Sequence, residues 1–123
     1  MPTKIMLFGR IILGLIFLIF GLNGFFQFIP IKMNPEAMEF FAALTATPFF
    51  IFLKSTEVIV GLMLIFNFFV PLALIILAPI SINILLFHLF VDRSILPLAI
   101  AIVIIHMLEA YGRREAYRSL FRR

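Results

Sequence analysis

Four long apolar runs, at residues 8–29, 49–70, 71–91 and 95–111, are set off by charge, proline and asparagine. A hydrocarbon core of ~30 Å takes about 20 helical residues at ~1.5 Å each, and every run is of that order. The pattern predicts four transmembrane helices in one integral membrane domain, residues 1–123, with a basic tail over 112–123. Punctuation then sets the topology. Thr47-Pro48 offers a side-chain N-cap followed by proline at the first helical position, where the missing N–H costs nothing. Pro71 marks a tight turn between the second and third spans, because the residue before a proline is pushed out of the α region. Asp92-Arg93-Ser94 gives a short turn before the fourth span, with Asp92 or Ser94 as cap. The expected fold is therefore all-α: a transmembrane four-helix up-down bundle. Between the first two spans, Asn34-Pro35-Glu36 reads as cap, first-turn proline and acidic second position. It predicts a short interfacial or re-entrant helix over 35–44, too short to span, with a surface loop as the alternative.

Composition excludes a water-soluble body. The chain is 64% hydrophobic, against the ~45–50% usual in soluble domains, and has 10 Lys and Arg and 6 Asp and Glu in 123 residues. The absence of cysteine removes disulfide, thiolate and Cys-ligated metal chemistry from this chain. The formal charge of +4 comes with five of the ten basic residues in the last eleven positions. That clustering suits an anionic membrane face, and no nucleic-acid partner is expected. Lys4 precedes the first span, Arg10 stands in its first turn, and Arg113, Arg114, Arg118, Arg122 and Arg123 follow the fourth, against Lys32 and Arg93 on the other side. The positive-inside rule then predicts a cell inner membrane protein with both termini cytoplasmic. Residues 4–24 are read as a retained helix, since their apolar run exceeds the ~7–15 residues of a signal peptide and no small-x-small site closes it.

Charges inside apolar spans are the candidate chemistry, at ~2.5–3.5 kcal/mol each on insertion scales. Lys54 and Glu57, three apart on one helical face, fall ~8 and ~12 Å inside the outer boundary. The pair reads as a mutually neutralised structural contact or as a ligand-binding or proton-carrying site. Asn23, Gln27, Asn83 and His88 could converge on it in an outward-facing polar pocket. Asn83 and His88, however, lie ~140° apart around one helix, so at most one of the Ser81/His88 and Pro79/Asn83 faces looks fully in unless Pro79 bends the helix. Arg10, His106, Glu109 and Arg113 form a second group at the cytoplasmic interface, with Glu109 to Arg113 a favourable ion-pair spacing. The two histidines differ by ~11 Å in depth, which a bis-imidazole haem does not tolerate. No metal site is expected, and no cofactor contributed by the chain. The 17 phenylalanines, many near the outer mouth, suit lipid contact, and would also stack a quinone headgroup. Gly14, Gly21 and Gly61 mark faces of close helix contact.

Three stretches resemble the DoxX family of small four-span membrane proteins: RIILGLIFLIFGLNGF from Arg10, EVIVGLMLIFNFFVP from Glu57, and APISINILLFHLFVD from Ala78. Many members of that family carry a lysine after the glycine near the end of the first span; here the corresponding residue is Gly24, and Lys54 offers a charge from the next helix. The resemblance implies a membrane subunit accompanying redox enzymes, in thiosulfate-to-quinone electron transfer or oxidative-stress complexes, and leaves catalysis by this chain undetermined. The leading expectation is an accessory or structural subunit of a respiratory or redox complex, partnered by lipid and by other integral membrane subunits or further copies of itself. The alternatives are a quinone-linked oxidoreductase subunit using Lys54, Glu57, Asn83 and His88, and a small proton-coupled transporter with Glu57 as the working carboxylate.

Overall fold

A computed structural model describes residues 3–26 and 34–121. Gln27, Phe28, Lys32, Arg122 and Arg123, and the predicted end of the first span at 27–29, lie outside the described residues. Among the described residues there are six helices: α1 (Thr3–Phe26), α2 (Pro35–Thr45), α3 (Phe49–Phe66), α4 (Val70–Phe90), α5 (Leu96–Gly112) and α6 (Arg114–Tyr117), followed by a 3-10 turn over Arg118–Phe121. The four long helices, α1, α3, α4 and α5, form the expected antiparallel bundle in a closed ring, each packed on its successor and α5 packed back on α1. Helices α1, α3 and α4 are long and apolar enough to cross a membrane; α5 has 17 residues and is followed by a sharp bend of 76° into α6.

The helix ends differ from the sequence reading in informative ways. Asn34 caps α2 as expected, its Oδ1 accepting from the Ala37 N–H at 2.8 Å. Thr47 does not cap α3: its hydroxyl donates back to the Leu44 carbonyl of α2, and Pro48 precedes the helix with no side-chain cap. The reversal between α3 and α4 falls before Pro71, at Asn67 and Phe69, both left-handed with φ of 62° and 48°. Asparagine adopts that conformation readily, whereas Phe69 is strained in it. As a result α3 ends at Phe66 rather than at 70. Neither Asp92 nor Ser94 caps α5, which starts after Ile95 without a side-chain cap; Asp92 instead accepts from the Ser94 N–H at 2.9 Å in a local turn.

The bundle has two unlike halves. Near the termini, Leu13, Phe17, Leu64, Leu74, Leu77 and Ile102 are sealed into an apolar core. Toward α2 the buried side chains include Asn23 and Glu57. Lipid tails are as apolar as leucine, so close backbone approach has to provide much of the cohesion. Helices α1 and α3 supply it by crossing at glycine. A Cβ built on Gly61 would lie 2.7 Å from the Leu18 nitrogen and 2.8 Å from the Gly14 carbonyl oxygen. Gly21 similarly admits Val58 and the Lys54 carbonyl. Gly61→Ala is therefore expected to force α1 from α3 and to cost about 1–3 kcal/mol, as overpacking against fixed backbone does. Thermal unfolding in detergent checks this against Leu62→Ala, an outward residue of the same helix. Equal melting shifts for the two would show that the crossing is not close.

Candidate functional site

Helix α3 carries the intramembrane charges. Lys54 Nζ lies 3.0 Å from Glu57 Oε2, with the lysine side chain 15% exposed and the glutamate 4%. Glu57 stands about 12 Å into a helix of about 27 Å, near the middle of the membrane. The ammonium approaches off the line a hydrogen bond requires, so charge alone holds this buried oxygen. Lys54 gains its position from α1: its Cγ, Cδ and Cε would lie 2.5–2.9 Å from a Cβ on Gly24. The lysine stem thus fills the space that any side chain at position 24 would take. Its ammonium also sits 5.6 Å from the Phe50 ring centroid, a cation–π contact. Asn23 is buried beside this level of α1 and has an interaction of its own.

Of the remaining pocket candidates, the structure turns the Ser81/His88 face of α4 inward and the Pro79/Asn83 face outward. Ser81 is buried, while Pro79 and Asn83 are exposed. Asn83 is therefore not brought to Lys54 and Glu57. His88 is half-buried, and its Nδ1–H donates to the Asp92 carbonyl at 2.9 Å. Among the described residues no hydrogen bond or ion pair joins it to Glu57. Its contacts at this end are with the α4–α5 turn and, through Phe87, with α2. Phe40 and Phe41 of α2 meet Phe87 at 5.4 and 5.5 Å between ring centroids, and Phe87 meets the His88 ring edge-on. Asp92 completes the strut: its Oδ2 accepts from the Asn34 N–H at 2.9 Å, and Asn34 Nδ2 donates to the Val91 carbonyl. The start of α2 is thereby bolted to the α4–α5 turn.

The second predicted group is brought together at the end holding the termini, as two separate contacts and a capping arginine. Arg113 Nη1 donates to Glu109 Oε1 at 2.9 Å, and Glu109 is 2% exposed, its other oxygen lying against Gly9 of α1. Arg10 turns its Nη1 to the Leu64 and Ile65 carbonyls, satisfying acceptors left open at the end of α3. His106 points elsewhere, bridging α5 to α4. Its Nε2–H donates to the Leu74 carbonyl, which leaves Nδ1 to accept from the Ser81 hydroxyl, both at 2.9 Å. Sequence reasoning missed Ser81 as a partner for His106, and also the clasp made by the tail. Tyr117 donates its hydroxyl to the Pro71 carbonyl at 2.9 Å, holding α6 under the α3–α4 turn; burial pushes its phenol up from the usual value.

Two predictions follow from these contacts. Removing one member of a buried pair leaves an uncompensated charge, typically at ~3–5 kcal/mol, whereas removing both is near neutral. Lys54→Met should strongly lower the melting temperature and Glu57→Gln less so, because Lys54 can extend outward. The double variant should recover most of the loss; additive losses would show that the pair is not coupled. At the other end, the N–H groups of Ser94 and then Asn34 hold the Asp92 carboxyl below the usual carboxylate range. A depressed carboxylate stabilises the native state above its unfolded value, near ~4, and that contribution is lost as pH falls through the native value. Protection of the Asn34 and Ser94 amides, taken relative to their intrinsic exchange rates, should accordingly hold from neutrality to about pH 5 and fall below about pH 4. Asp92→Ala should show the lowered protection at pH 7, and identical protection in that variant would remove the strut.

Among curated proteins and solved structures no match to this sequence is found. The family model for DoxX, in contrast, matches residues 5–89, from the first turn of α1 to the last turn of α4, and takes in the glycine crossing, the Lys54–Glu57 pair and the inward histidine face. This chain is an integral membrane protein of the DoxX family.

Proposed function

We propose that the chain is an accessory, structural subunit of a larger redox-linked assembly in the inner membrane, with both termini in the cytoplasm. The observation that carries this reading is that the buried ionic groups are spent on one another and on backbone. Lys54 holds Glu57, Arg113 holds Glu109, and Arg10 closes the end of α3. Such a bundle is braced from within and turns a broad apolar surface outward, including Phe8, Phe26, Phe52 and Phe90. Its product would be an interface. The orientation rests on the shared end of the two termini, where Lys4, Arg10, Arg113, Arg114 and Arg118 collect, on the side the positive-inside rule assigns to the cytoplasm.

A second reading is favoured by one detail, the buried Glu57 oxygen that lacks an aligned donor. A quinone-like headgroup able to donate or accept a proton would suit it. Gentle-detergent purification from native membranes separates the two. The subunit reading predicts stoichiometric co-migration with membrane redox subunits, and no quinone bound by the chain alone. Saturable quinone binding by the purified chain, abolished by Glu57→Gln, would contradict it, as would Glu57-dependent proton-coupled flux in vesicles.

A further inference from the structure

The polar side chains of α4 are used inside the bundle with one exception. Ser81 meets His106 and His88 meets the Asp92 backbone, but Asn83 is exposed and has no hydrogen-bond partner among the described residues. It lies seven residues from Phe90, about 10 Å inside that end of the helix and well within the hydrocarbon. One turn earlier on the same outward stripe is Pro79, whose missing N–H releases the Ile75 carbonyl from the helical ladder. A primary amide and, about two turns away on the same face, a freed backbone carbonyl thus meet a solvent that can bond neither. Around them the stripe is aliphatic and aromatic: Ile75, Ile82, Leu86 and Phe90 are all exposed.

We propose that this stripe is the contact face with a second copy of the chain, the two α4 helices packing in parallel about a two-fold axis along the membrane normal, with Asn83 bonded to Asn83. Three features select a copy of itself as the occupant. Every copy inserts the same way, so residues of equal depth meet across such an axis. A carboxamide carries both donor and acceptor, so two identical ones satisfy each other. The stripe bears no charge, so self-association brings no like-charge repulsion. A single asparagine in an otherwise apolar helix contact also fixes the register of the pair. The inference concerns the chain alone and stands apart from its membership of a redox assembly.

The natural sequence has no cysteine, so single cysteines can be placed without other substitutions. The full chain carrying Ile82→Cys or Leu86→Cys, purified, reconstituted in liposomes and oxidised, should yield a covalent species of twice the mass. Ile12→Cys on α1 and Ile104→Cys on α5, exposed on other faces, should remain single. Adding Asn83→Leu to Leu86→Cys should lower dimer yield about 3- to 30-fold, the range that one or two intramembrane hydrogen bonds supply, and Asn83→Gln should retain part of it. The proposal is overturned by failure of both α4 cysteines to cross-link, by equal cross-linking at Ile12 or Ile104, or by a yield indifferent to Asn83→Leu. Capture of a different polypeptide, in place of a copy, by Ile82→Cys in native membranes would overturn it as well. Co-migrating redox subunits are read in a separate experiment, so the two conclusions fail independently.

Discussion

Hydrocarbon neither donates nor accepts a hydrogen bond, and the polar architecture of this bundle answers to that constraint. A charge that water would screen must here find its partner on a neighbouring turn or helix. Lys54 and Glu57 do so within α3, Glu109 and Arg113 within α5, and Arg10 by reaching from α1 to the carbonyls closing α3. His106 applies the same rule between helices, one ring nitrogen on a backbone carbonyl and the other on Ser81. These contacts tie α1 to α3 and α5 to α4, so the polar groups also act as fasteners where hydrophobicity cannot distinguish protein from lipid.

The fasteners close two unlike halves of the bundle. Near the termini, a sealed apolar core is closed below by Arg10, the Glu109–Arg113 pair and the Tyr117 clasp on Pro71. The opposite half is more polar, holding Glu57 and Asn23, and at its end α2 sets aromatic rings against Phe87 and is bolted to the α4–α5 turn by Asn34 and Asp92. Small residues make this possible. Gly14 and Gly61 allow the helix crossing, and Gly24 clears the volume in which the Lys54 stem lies.

Much of this was legible in the sequence because length and charge spacing carry it. Four apolar runs gave four long helices, the Asn34-Pro35-Glu36 signature gave α2, and i,i+3 and i,i+4 spacing gave both buried ion pairs. What stayed hidden was which way each helix faces. An α4 that is apolar all round has no hydrophobic stripe to mark its inner side. The choice between the Ser81/His88 and Pro79/Asn83 faces was therefore open until the position of α5 fixed it through His106. Helix ends were misplaced for a related reason. What decides them, the Thr47 hydroxyl turned back to Leu44 and the left-handed backbone at Asn67 and Phe69, is local geometry that no periodicity encodes.

The DoxX family match runs over residues 5–89 and takes in the buried charges that brace α1 and α3. The weight of the account rests on the contact between Lys54 and Glu57 near mid-membrane. Dipolar-coupling solid-state NMR on the chain in bilayers, labelled at Lys54 Nζ and the Glu57 carboxyl carbon, measures it directly. The account predicts a strong coupling matching the 3.0 Å nitrogen–oxygen approach, with a carboxyl screened from bulk water. Absent coupling, together with rapid exchange between that carboxyl and solvent, would contradict it.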